Sequence, residues 1–170
     1  MGCGPGGSFP YLIKAVGLSG EIVGVEISPE IAINATNRIA RNGWNNVQVA
    51  ESRAESVQLT GEFDGLLLFA AQDVLTSPDA LANLFSHLKD GARIAVFAAK
   101  LSKFRSGSAL NSLLRRLFSR LSFSSSAPID YQPWRMLQDR IPDLSLEEHM
   151  FGLLFLASGT VVKKTTIATL

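Results

Sequence analysis

With a single cysteine, Cys3, the 170-residue chain cannot form an internal disulfide. A reducing compartment suits such a chain. It has no Cys-x-x-Cys pair and no Cys/His cluster, so no metal site is expected. Long apolar runs are missing too. The longest, around Leu66–Ala71 and Gly152–Ala157, fall far short of a bilayer span. The glycine-rich start lacks the charged-then-apolar pattern of a signal peptide. These absences lead us to expect a cytoplasmic protein. The net charge is only +1, which argues against bulk attraction to nucleic acid.

What is present is a globular composition, 46% hydrophobic and 18% charged, enough for one domain with a real core. We place that domain at residues 1–162, with 163–170 as a loose tail. Apolar residues at helical spacing from Phe9 to Val16 end at Gly17. Glu21 to Ile27 reads as a buried strand. Ser28-Pro29-Glu30 combines a capping residue, a proline and an acid, the pattern of a helix start, and Gly43 is its stop. Val47–Ala50 is a short strand. Phe63–Ala70 reads as a central strand, apolar on both faces. Ser77-Pro78-Asp79 opens a helix that should end near Asp90-Gly91, before a strand over Ala92–Ala99. Pro133 to Arg140 suggests a short helix. Final strands are expected at Ser145–Phe151 and Leu153–Ala157. This alternation predicts an α/β fold: a mainly parallel Rossmann-like sheet, helices on both faces, and an antiparallel strand at the C-terminal end.

The opening Gly2-Cys3-Gly4-Pro5-Gly6-Gly7-Ser8 is a loop with little side-chain bulk. Gly2, Gly4 and Gly7 satisfy G-x-G-x-x-G, which lets backbone amides approach a ligand at a helix N-terminus. Alone this pattern also fits a structural turn or a nicotinamide or flavin site. Glu26, ending the second strand of such a fold, can accept hydrogen bonds from both ribose hydroxyls. Loop and acid together point to an adenosine-containing cofactor.

Four ordered segments carry a more specific resemblance. Gly2-Cys3-Gly4-Pro5-Gly6, Glu26-Ile27-Ser28, Phe63-Asp64-Gly65-Leu66-Leu67-Leu68 and Leu88-Lys89-Asp90-Gly91-Ala92-Arg93-Ile94 resemble successive motifs of the class I S-adenosylmethionine-dependent methyltransferases, across about residues 1–100. The resemblance implies S-adenosyl-L-methionine as cofactor. It sets Gly2, Cys3, Gly4 and Gly6 against its methionine part, Glu26 on the ribose, and Ile27 on the adenine. It also sets Arg53 and Ala54 at the adenine edge, and Phe69 and Ala70 beside the sulfonium. Arg53 departs from the family, which often has an acid there; arginine accepts no hydrogen bond, so backbone, Glu51 or Glu55 must substitute. The strand that normally precedes the glycine loop is also missing, so the chain is expected to begin inside the fold, to leave two strand edges open, and to bind cofactor poorly.

Methyl transfer needs alignment and water exclusion more than a base, so the catalytic residue is hard to read. Asp73, after the fourth strand of the family order, is the candidate, with a turn residue as the plain alternative. Tyr131, Trp134 and Arg135 are candidates for the substrate border, or else staple a loop. His87 reads as a helix-end residue and His149 as a strand residue. From Lys100 to Ala127 there is no acid; Ala109 to Leu121 forms an amphipathic pattern with an arginine face. That makes Lys100–Arg120 a candidate for peripheral membrane contact, against the plainer reading of a helix packed on the sheet. A lipid- or quinone-like acceptor is the corresponding expectation. A nicotinamide-dependent oxidoreductase, lacking here a Tyr-x-x-x-Lys pair, and a non-catalytic module of the same fold are the alternatives.

Overall fold

The computed structural model describes residues 1–99, 132, 134–150 and 154–163. In chain order the elements are α1 (Phe9–Val16), β1 (Ile22–Glu26), α2 (Pro29–Asn42), β2 (Val47–Glu51), β3 (Phe63–Phe69), α3 (Gln72–Thr76) and α4 (Pro78–Ser86). Then come β4 (Leu88–Ala99), α5 (Arg135–Gln138), β5 (Ser145–His149) and β6 (Leu154–Thr160). The amphipathic segment around Lys100–Arg120, Tyr131 and the tail beyond 163 lie outside the described residues.

The strands form two sheets rather than one. β1 and β2 pair in parallel, Ile22 opposite Val47 and Glu26 opposite Glu51. The second sheet runs β3-β4-β6-β5. There β3 and β4 are parallel, while β6 is antiparallel to both β4 and β5. Among the described residues no strand lies between β1 and β3. This corrects the reading of Phe63–Ala70 as a central strand: β3 ends its sheet, with Asp64, Gly65 and Phe69 exposed.

Two core clusters form, and the larger reaches both sheets. Phe9, Ile22, Ala35 and Val47 cluster beneath α1 and α2, with Phe9 edge-on to Trp44 at 6.4 Å. The larger cluster joins Val25 and Leu68 to Leu75, Leu84, Val96 and Phe155. Helix ends follow local chemistry. Gly43 adopts the left-handed conformation (φ 64°) that lets its amide and that of Trp44 reach back to Ala40 and Ile39. Ser77 caps α4 by accepting from the Ala80 amide. Ser28, by contrast, makes no side-chain cap.

The α4–β4 boundary also differs from the sequence reading. The helix stops at Ser86 and the strand begins at Leu88, with Lys89-Asp90-Gly91 as an irregularity inside it. Phe63 pairs with Leu88 but Gly65 pairs with Arg93, so the extra residues bulge out. Gly91, at φ 79°, makes the bend, and its amide is held by the Val161 carbonyl at 2.9 Å. Turn-like residues therefore sit inside a strand, with Val161, just past β6, bonded to Gly91 and Ala92 and the Lys163 amide donating to Asp90.

Near the C-terminal strands the Asp143 carboxylate accepts from the Thr160 amide at 2.7 Å. That hydrogen bond leads the causes that pull its carboxyl below the ordinary range, the nearby Arg93 charge being a lesser one. A depressed folded-state pKa means stability that is present above the ordinary carboxyl value of about 3.9 and is lost as pH falls through the lower folded value. Asp143→Asn should therefore be less stable than the wild type at neutral pH. The two should converge on acidification, a trend that urea unfolding at stepped pH will reveal or deny.

Candidate functional site

The glycine loop sits at the C-terminal ends of β1 and β3, and different forces shape each glycine. Gly2, Gly4 and Gly6 have φ of 60°, 55° and 76°, a region that costs any residue with a Cβ. A Cβ at Gly6 would meet the Phe9 ring at 2.6 Å, and one at Gly2 would meet the Ala71 Cβ at 3.2 Å. At Gly4 a Cβ would find nothing within 4 Å, so this stretch of backbone borders open space. The third position that requires glycine is therefore Gly6 and not the Gly7 of the G-x-G-x-x-G pattern, which has ordinary φ and open surroundings.

Three bonds anchor the loop. The Cys3 amide donates to the Val25 carbonyl at 3.0 Å. The Met1 amino group donates to the Leu67 carbonyl at 2.9 Å. The Gly4 amide donates to Glu26 Oε2 at 3.0 Å. Glu26 Oε1 accepts from the Ser28 amide at 3.1 Å. Among the described residues Glu26 is the one buried polar or charged side chain, 8% exposed. Two amides at the turn into α2 and in the loop are what make that burial tolerable. Each carboxylate oxygen still has lone-pair capacity for a further donor.

Cys3 lies against Gly24, where a Cβ would come 2.9 Å from its sulfur and 2.9 Å from Phe9 Cζ. Burial pushes the thiol pKa up, so Cys3 stays a protonated packing residue and not a nucleophile. Gly24→Ala should cost about 1–3 kcal/mol through overpacking. Unaltered urea stability in that variant would mean the loop can back away from β1 freely.

The other sequence-predicted residues fall in three places. Ile27, 51% exposed, and Phe69, 52% exposed, flank the loop as bare apolar side chains at the strand ends. Phe69 stacks on Phe97 at 5.1 Å, and Ala70 beside it takes φ 54°, a strained value for a residue with a Cβ. Ala54 is buried and its carbonyl is held by Asn83 at 2.9 Å. Arg53 points outward and pairs with Glu55 at 3.6 Å, while Glu55 also accepts from the Ser77 hydroxyl. That leaves Glu51, opposite Glu26 on β2 and exposed, as the freer acid.

Asp73 is exposed in the first turn of α3. Trp134 belongs to the core, edge-on to Phe155 at 5.0 Å. Arg135 is exposed and donates to Gln132. His87 closes α4 with Nδ1 on the Asn83 carbonyl at 2.8 Å, and His149 lies on the exposed β5 beside Glu147. Sequence reading missed Gln72, whose amide nitrogen donates to the Ala99 carbonyl and ties the end of β4 to the start of α3. No motif marks it. Among the described residues no group of His, Cys, Asp or Glu could hold a metal, and no helix is long and apolar enough to cross a membrane.

A profile of the methyltransferase domain family matches residues 1–91. No curated protein matches the sequence. Among solved structures, a SAM dependent methyltransferase from Aquifex aeolicus is 20% identical with a TM-score of 0.66, the match covering 95% of this chain and 79% of that one. The N-methyltransferase NodS from Bradyrhizobium japonicum WM9 is 14% identical with a TM-score of 0.60, covering 95% of this chain and 83% of that one. Its complex with S-adenosyl-l-homocysteine is also similar, at 12% identity and a TM-score of 0.56, covering 84% of this chain and 67% of that one. At such identities these structures establish likeness of fold.

Proposed function

We propose, from the premise that this chain belongs to the methyltransferase domain family, that its donor rests against the glycine loop and the adjoining Glu26 and that its acceptor is a small molecule with a flat apolar portion, lipid- or quinone-like. The protein is an S-adenosylmethionine-dependent methyltransferase, and the nicotinamide alternative falls with that family membership. The carrying observation is the Glu26 carboxylate, buried and bonded to the Gly4 amide at 3.0 Å. It joins loop to strand and keeps lone pairs for two ribose hydroxyls. S-adenosylmethionine supplies an activated methyl group: the acceptor's lone pair forms the new bond as the carbon–sulfur bond breaks, sulfur keeps that electron pair, and any acceptor proton passes to solvent.

This chain's residues then have four tasks. Gly2, Cys3, Gly4 and Gly6 bring bare backbone to the methionine part. Glu26 fixes the ribose. Ile27 covers one face of the adenine, while Arg53 and Ala54 border its edge. Phe69 and Ala70 line the reacting end, where the exposed Phe69 ring, backed by Phe97, offers an apolar slab for a flat acceptor and helps exclude water. Asp73, Tyr131, Trp134 and Arg135 are proposed for the acceptor side, Trp134 through its core packing with Phe155 rather than by contact. The Lys100–Arg120 segment supports delivery from an anionic membrane surface only through its sequence pattern. Titration with S-adenosylhomocysteine and with NAD, read by thermal protection, tests the donor assignment. Protection by S-adenosylhomocysteine alone is expected, and protection by NAD alone would overturn it.

A further inference from the structure

The turn that follows β2 is held largely from outside itself. Its own bonds run from the Ser56 and Val57 amides to the Arg53 carbonyl, at 3.2 and 2.9 Å. The rest of its grip comes from α4. There the Asn83 side-chain amide donates to the Ala54 carbonyl at 2.9 Å and to the Val57 carbonyl at 3.0 Å. Only the nitrogen of that amide can face two carbonyls, so both of its protons are engaged on this turn. Two donors on one planar nitrogen also fix the spacing of the carbonyls they meet. At the cap of the same helix, Ser77 donates to Glu55 Oε1 at 3.1 Å. Asparagine is a poor residue for a helix interior, and Leu84 and Phe85 beside it already bury α4 in the core. The amide serves the turn rather than the helix.

In the proposed donor site that turn borders the adenine edge. Its acceptors are largely committed. The Arg53 guanidinium accepts no hydrogen bond, Glu55 is held by Arg53 and Ser77, and Asn83 occupies the Ala54 and Val57 carbonyls. Glu51, in register with Glu26 at the end of β2, and the remaining backbone groups of the turn are left to meet a base. Where those backbone groups lie depends on the path of the chain from Ser52 to Val57, and Asn83 pins that path at two points.

We infer that Asn83 is a positioning residue that sets the base specificity of the donor site: through the Ala54 and Val57 carbonyls it holds the turn where an adenine amino group is accepted and a 6-oxo purine is rejected. The inference rests on the donor assignment. It goes beyond that assignment by giving base selection to a helix that supplies none of the proposed donor contacts.

Calorimetry on the full chain compares S-adenosylhomocysteine with S-inosylhomocysteine, in which an oxo group replaces the amino group. The wild type should prefer the adenine compound by about tenfold or more, because the oxo group sets acceptor against acceptor. In Asn83→Ala that preference should shrink severalfold. Asn83→Gln, which keeps the NH2 one methylene further out, should restore part of it. A residue that only staples the fold would lower Tm and weaken both nucleosides in step, with their ratio intact. Amide hydrogen exchange needs no ligand: in Asn83→Ala the Ser56 and Val57 amides should exchange about tenfold faster while those within β3 keep the wild-type rate. An unchanged ratio in a variant that still binds both nucleosides, or unchanged exchange at Ser56 and Val57, would overturn the inference alone. A wild type that binds neither nucleoside would overturn the donor assignment and the inference together.

Discussion

Glu26→Gln should weaken S-adenosylhomocysteine binding by a factor on the order of 100, read by calorimetry, since two charge-assisted hydrogen bonds to a ligand are together worth about 3 kcal/mol. The amide is nearly isosteric, so the loss comes from chemistry rather than packing. The carboxylate accepts from the Gly4 amide on one oxygen and the Ser28 amide on the other. Glutamine replaces one of those oxygens with an NH2, setting donor against donor on either the loop or the start of α2. Binding within threefold of the wild type would remove Glu26 from the ribose. A variant that melts well below the wild type in the absence of ligand would instead assign the carboxylate chiefly to holding the loop. Thermal unfolding without ligand separates the two.

Phe155→Ala should destabilise the protein by about 3–5 kcal/mol, a fall in Tm on the order of 10 °C for a chain of this size. Phe155 is wholly buried in β6, opposite Ala98 on β4 and Glu148 on β5. Its ring meets Trp134 edge-on. Truncation would leave a cavity under the tryptophan that the three paired strands cannot close by moving singly. Urea unfolding should show a lower midpoint with an unchanged slope. A stability within about 1 kcal/mol of the wild type would mean that Trp134 collapses into the space.

The parts legible in the sequence were those governed by local chemistry. Proline and glycine punctuation located α2 and α4, and runs of branched apolar residues located β1 and β2. The glycine loop and Glu26 were legible because their roles depend on residue type at a short spacing: amides without side chains, then an acid at a strand end. The structure brings those two within hydrogen-bonding distance. What was not legible depended on pairing between distant segments. Lys89-Asp90-Gly91 looks like a turn, yet Val161 and Lys163, from the far end of the chain, hold it inside a strand. The Phe63–Ala70 run looks apolar and covered on both faces, yet Asp64, Gly65 and Phe69 are exposed. Trp134 reads as a substrate-border residue or a loop staple because nothing near it in sequence announces Phe155. The pairing of Arg53 with Glu55 is local, but its outward direction is set by Ala54, which is buried and held by Asn83 from another element.

The division into two separately packed clusters has a mechanical consequence. The half built on Phe9, Ile22 and Val47 and the half built on Leu68, Val96 and Phe155 are joined where Val25 packs with Leu68, where Asn83 holds the Ala54 and Val57 carbonyls, and where the glycine loop crosses between them. A ligand lodged at that seam touches both halves, so its binding energy goes partly into stiffening the joint. Affinity for the donor and cohesion of the molecule then rise and fall as one quantity, and a change far from the ligand that loosens either half is felt at the seam.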